Sequence, residues 1–109
     1  MDTYHIWCDL KPGHSAQIFA RDLSNYLNHL RTAGKIASHR LTRRKLGLGP
    51  SVLGEFHVQI ETENLSQLDA AFAQVAARSG ETERLHHAVY SVVENLQFAL
   101  YRDFPDTHS

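Results

Sequence analysis

A chain of 109 residues with 42% apolar and 21% charged content has the size and balance of one folded domain, which excludes a disordered segment. A formal net charge of −1 supplies no field for nucleic acid or an anionic membrane, and the lone cysteine, Cys8, excludes an internal disulfide. No leader pattern or bilayer-length apolar run is visible, so a single cytoplasmic domain over 1–109 is expected, without membrane or nucleic-acid partners.

Thr3 to Leu10 reads as a strand, with Tyr4, Ile6, Cys8 and Leu10 on one face and His5, Trp7 and Asp9 on the other. Lys11-Pro12-Gly13 breaks it. Ser15 is placed to cap a helix reaching about Ala33, whose buried stripe is Phe19, Leu23, Tyr26, Leu27 and Leu30; Gly34 supplies the stop. Ile36 to Leu46 reads as a basic strand suited to a sheet edge, where charge discourages pairing with other chains. The Gly47 to Gly54 loop leads into a strand, so it lacks the helix N-terminus of a phosphate cradle and reads as a flexible hairpin connection.

Glu55 to Thr62 is the clearest strand: Phe56, Val58 and Ile60 alternate with His57, Gln59 and Glu61. Asn64 opens a second helix with Gln67 three residues on, a capping-box variant. Its expected buried stripe is Leu65, Leu68, Phe72, Val75 and Ala76, and Gly80 is expected to end it. A shorter helix from Glu81 to about Tyr90 and a strand from Asn95 to Arg102 complete the order β, α, β, β, α, short α, β. Right-handed crossovers then give a ferredoxin-like α+β domain, a four-stranded antiparallel sheet with the first and third strands central and the helices on one face.

The second face carries His5, Trp7, Asp9, His57, Gln59, Glu61 and Tyr101. Placed against the same face of a second copy, its aromatics would anchor a symmetric homodimer interface.

The element order, a first strand ending Leu10-Lys11-Pro12, Glu61-Thr62-Glu63-Asn64-Leu65 running from a strand into a helix, and a closing Tyr101-Arg102-Asp103-Phe104-Pro105 resemble the dimeric α+β barrel superfamily, in particular its stress-responsive branch. That resemblance implies two ferredoxin-like subunits packed sheet against sheet, with no cofactor. Members include cofactor-independent monooxygenases, small isomerases, a polyketide cyclase and proteins without a known activity. Polyketide-cyclase-like members carry histidines in the first and third strands, but aligning the strand ends puts those positions at Tyr4 and Phe56, one residue from His5 and His57. A shift of one reverses the face, so His5 and His57 belong to the dimer side. The His-Pro-x-His segment of those members is absent; Ala77-Arg78-Ser79-Gly80-Glu81 stands near its place.

Eight histidines are an excess for this length. Three readings of the His5 and His57 cluster, with Asp9 and Glu61 nearby, stay open: a hydrogen-bonded polar layer, a pH-sensitive interface, or a metal site, the last without any short ligand spacing to enforce it. His86 and His87 are adjacent on a helix and point about 100° apart, so one can face the space between helices and sheet. A small-molecule site there would be walled by Tyr4, Tyr26, Phe56, Tyr90 and one of these two histidines. Cys8 reads as a small buried hydrophobe, and the Arg40, Arg43, Arg44, Lys45 run is split between two faces. Two functions follow: a dimer binding a small aromatic or polyketide-like molecule, or a non-catalytic structural or stress-related interaction module.

Overall fold

The structure is a computed structural model that describes residues 1–105; the last four residues of the expected domain lie outside the described residues. The elements run β1 (Asp2–Leu10), α1 (Ala16–Thr32), β2 (Ser38–Arg43), β3 (Phe56–Thr62), α2 (Leu65–Ala76), α3 (Gly80–Tyr90) and β4 (Val93–Arg102). The strands form one antiparallel sheet in the order β2-β3-β1-β4, so β1 and β3 are central as the crossover rule requires. In register, Tyr4 pairs with Ile60 and Leu100, and Trp7 with His57 and Gln97.

Side-chain alternation then sorts the faces. Cys8, Phe56, Val58 and Ile60 are buried on the helix side with Phe19, Leu23, Leu27 and Leu30 of α1 and Val89 of α3. The α1 stripe is the one its spacing predicts, and each such side chain removed from water contributes about 1.5–3 kcal/mol. Ser15 Oγ accepts from the Ile18 N–H at 3.2 Å, closing the first turn of α1. Asn64 Oδ1 accepts from the Gln67 N–H at 2.9 Å, while Gln67 Oε1 accepts from the Glu63 N–H at 2.7 Å, so the reciprocal half of the box reaches one residue further back.

Three expectations change. β2 is shorter than the basic text suggests, because Leu46 and Gly47 take positive φ and turn the chain away from the sheet after Arg43. The loop that follows is tied rather than flexible: the Arg44 guanidinium donates to the carbonyls of Pro50 and Leu53 at 2.9 and 2.8 Å. Gly80 does not end α2. Arg78, at φ 49°, reverses the chain after Ala76, and Gly80 is the first residue of α3.

The helices are tied to one another through one hydroxyl. Thr82 Oγ1 on α3 lies 2.8 Å from His29 Nε2 of α1 and accepts from Gln74 Nε2 of α2 at 3.0 Å. α2 nevertheless stands off the sheet. Leu68 and Ala71 are buried, but Leu65 and Phe72, expected in the core, are 47% and 46% exposed.

Candidate functional site

Because α2 stands off, its apolar stripe walls a cavity of about 430 Å³ instead of closing a core. Ile6 and Ile60 of the sheet and Leu30 of α1 contribute apolar surface, and Leu68, Ala71, Phe72 and Val75 of α2 form one side. Tyr4 of β1, Tyr26 of α1, and Glu83, His86, His87 and Tyr90 of α3 supply the polar atoms, with Arg78 at the α2–α3 junction. Along α3, Glu83, His86, His87 and Tyr90 fall at three-, four- and seven-residue spacing, which is why one helix delivers all four to one space.

His86 is held between two phenol rings, its centroid 4.2 Å from that of Tyr90 and 5.5 Å from that of Tyr26. Burial pulls its pKa down; the Glu83 carboxylate works against that shift, and the charges of Arg78 and His87 reinforce it. The imidazole is therefore neutral near pH 7 and has a lone pair to offer. The phenols move the other way. Burial raises Tyr4, Tyr26 and Tyr90, so all three stay protonated donors through the neutral range. Tyr4 is set by its neighbours, edge-on to Phe72 at 5.3 Å and stacked on Phe98 at 6.0 Å.

Five of the six residues expected around this space line it: Tyr4, Tyr26, His86, His87 and Tyr90. Both histidines reach the cavity, not one. Phe56 is the correction. It shares the helix face but sits deeper toward the far end of β3, edge-on to Phe19 at 5.3 Å with the Arg43 guanidinium 5.1 Å over its ring. Arg78, Glu83 and Phe72 were missed as cavity residues. Glu83 had a signal, since it precedes His86 by three residues on the same helix face.

On the opposite side of the sheet, His5 Nδ1 and His57 Nε2 lie 2.8 Å apart and share one proton, either ring being able to donate. Trp7 stacks on His57 at 4.6 Å and on His5 at 5.6 Å, and Tyr101 meets His5 edge-on at 5.0 Å. Among the described residues no helix packs over this group; the loop from Arg44 to Glu55 borders Trp7 and His57 at one end, and Tyr101 at the other is 63% exposed. Burial lowers the pKa of both histidines, and His5 lowers that of His57 further. Gln59 stands between His5 and Arg40 in register.

The two carboxylates do not join the pair, contrary to the expected four-membered cluster. Asp9 accepts from the Glu55 N–H at 2.8 Å and from Asn95 Nδ2 at 3.0 Å, beside a bulge between Trp7 and Asp9; Glu61 accepts from Ser38 Oγ at 2.7 Å. Among the described residues no three His, Cys, Asp or Glu side chains converge to hold a metal, and no helix is long and apolar enough to cross a membrane.

Residues 1–109 match a family of unknown function, DUF6614, over their whole length. The chain belongs to that family. No curated protein matches this DUF6614 chain. Its fold is similar to that of the Arabidopsis thaliana protein At3g17210, with a TM-score of 0.75 at 9% identity, covering 98% of this chain and 99% of that one. SnoaB of Streptomyces nogalater, a cofactor-independent oxygenase, gives a TM-score of 0.72 at 8% identity over 99% of this chain and 97% of its own. A dimeric ferredoxin-like protein of unknown function from Jannaschia gives 0.67 at 9% identity, over 94% and 100%. At these identities the likeness establishes the ferredoxin-like fold of the DUF6614 chain.

Proposed function

We propose that this chain is a homodimer, joined through the His5, Trp7, His57 and Tyr101 face, that binds a small aromatic or polyketide-like molecule between its helices and sheet. The observation that carries the ligand reading is a neutral His86 flanked by Tyr26 and Tyr90 in a largely apolar cavity of about 430 Å³. That volume lies in the range of small-molecule sites, which pair apolar walls with a few convergent polar groups. The dimer reading is supported by an aromatic cluster left partly exposed on the sheet face that no helix packs on and by the dimeric state stated for the Jannaschia protein of like fold.

The chemistry open to such a site needs no cofactor. A neutral imidazole can take a proton from an acidic phenol or ketone, and a phenol hydroxyl can return one. Glu83 favours the imidazolium so formed, since its charge raises the His86 pKa.

The test is a titration of the labelled protein with naphthol and with anthrone, followed by NMR. Saturable shifts centred on His86, Tyr26 and Tyr90, reduced at least several-fold in His86→Ala, are expected. No shift on these residues at millimolar probe would remove the ligand reading and leave a dimeric interaction module.

A further inference from the structure

Tyr26 is only 8% exposed, yet its hydroxyl makes no hydrogen bond to any described residue. Among the described residues no fully enclosed side-chain oxygen or nitrogen lacks a partner, so this hydroxyl is not sealed in the core; it opens onto the cavity that its ring lines. Tyr4 and Tyr90, from two other elements, line the same space, and their hydroxyls are likewise without a hydrogen bond to a described residue. Geometry groups them: the His86 ring stands between those of Tyr26 and Tyr90, 5.5 and 4.2 Å from their centroids, and Tyr4 enters the same space from β1. A core that wanted only apolar volume here would use Phe, since an unmet hydroxyl costs free energy wherever water is scarce.

The geometry points to a hydrogen-bond cradle in which one or two of the hydroxyls of Tyr26, Tyr90 and Tyr4 donate to the lone pairs of an acceptor oxygen of the ligand, making the preferred ligand class a neutral aryl ketone. This deepens, and rests on, the reading of the cavity as a small-molecule site. Protonated phenols are donors to a carbonyl oxygen and have no use for a hydrocarbon. Glu83 and Arg78 both belong to the wall, so their charges cancel in sum and an ionised ligand would lose its hydration among largely apolar walls without a net opposite charge to repay it. Tyr26 is thus a specificity-determining residue: the apolar walls hold the ring system and the hydroxyl reads the oxygen. A site built to hydrogen-bond a ligand group discriminates against an analogue lacking it, because its own polar atoms are then left unpaired.

Matched probes of equal shape separate the two claims: acetonaphthone, ethylnaphthalene and naphthoate, each titrated calorimetrically and by NMR. The wild-type chain is expected to bind the ketone about tenfold more tightly than the hydrocarbon, the scale of one or two hydrogen bonds formed in place of water, with naphthoate weakest. Tyr26→Phe, which removes one oxygen and leaves the packing, is expected to bring ketone and hydrocarbon within about twofold while hydrocarbon binding stays unchanged. Tyr90→Phe, with its melting temperature checked against wild type, should narrow the gap in the same direction. Equal binding of ketone and hydrocarbon by wild type would overturn the cradle and leave the cavity reading standing. Failure of all three probes to bind would overturn both.

Discussion

On the helix side of the sheet, burial holds the Cys8 thiol protonated. Its pKa is pushed up to about 11, first by loss of water and then by the neighbouring charge of Asp9. At pH 8 that leaves about a hundredfold less thiolate than an unperturbed cysteine carries, and the side chain is only 2% exposed. Alkylation by iodoacetamide at pH 8 should therefore be at least about a hundredfold slower in the folded chain than in urea, followed by mass spectrometry. Rapid labelling of the folded chain would show that β1 is less well covered than its packing indicates. Cys8 was readable in the sequence because strand alternation fixes which face a residue takes. The histidines were readable only in part. His39 Nε2 meets Asn28 Oδ1 at 2.8 Å and His29 meets Thr82, pairings set by where helices lie over the sheet, which no local pattern encodes.

At the level of elements, periodicity identified every strand and helix and sorted His5 and His57 away from the cavity. It did not say what stands opposite an apolar face. The stripe of α2 looks the same whether it meets protein or lines a hollow, and so Phe72, which lines the hollow, and Leu65, nearly half exposed, were both expected in the core. Joints between elements depend on single backbone conformations that are equally quiet in sequence, such as the positive φ of Arg78. Gly54 is one joint where a test is direct. The connection into β3 crosses β1 so closely that a Cβ at Gly54 would collide with the Cys8 backbone, its carbonyl included, and the adjoining Glu55 N–H is pinned to Asp9. Backbone cannot yield as a flexible side chain would. Gly54→Ala is expected to destabilise the fold by about 1–3 kcal/mol in urea unfolding. The same substitution at Gly13, where nothing lies near but φ is 87°, tests backbone strain alone and should cost less. An unchanged midpoint for Gly54→Ala would mean the loop does not rest on β1.

For the whole molecule, the two faces of the sheet divide the labour. The helix side holds the cavity, and the bare side holds the group proposed to join two copies, so pH should act on assembly through His5 and His57. Both pKa values lie below the ordinary histidine value of 6.5 in the folded chain. The unfolded chain therefore binds protons more readily, and the stability these groups contribute is full above about pH 6.5 and lost as pH falls from there through the folded-state values. In the proposed sheet-to-sheet dimer, packing would remove more water and carry the depression further, which extends the same sign to association. Among the described residues nothing facing the pair offsets a positive charge: Trp7, Gln59 and Tyr101 are neutral, Arg40 beside Gln59 is itself cationic, and Asp9 and Glu61 are bonded elsewhere. Sedimentation velocity at pH 7.5 should give the dimer mass at micromolar concentration, shifting toward monomer at pH 5 while circular dichroism retains the folded spectrum. His57→Ala is expected to weaken association at pH 7.5 and to flatten its pH dependence, because it removes both the shared proton and the ring stacked on Trp7. A monomer at pH 7.5 across the concentration range would discard the interface. A dimer indifferent to pH 5 would keep the interface and assign the histidine pair a purely structural place in it, as a proton shared between two rings that never ionise.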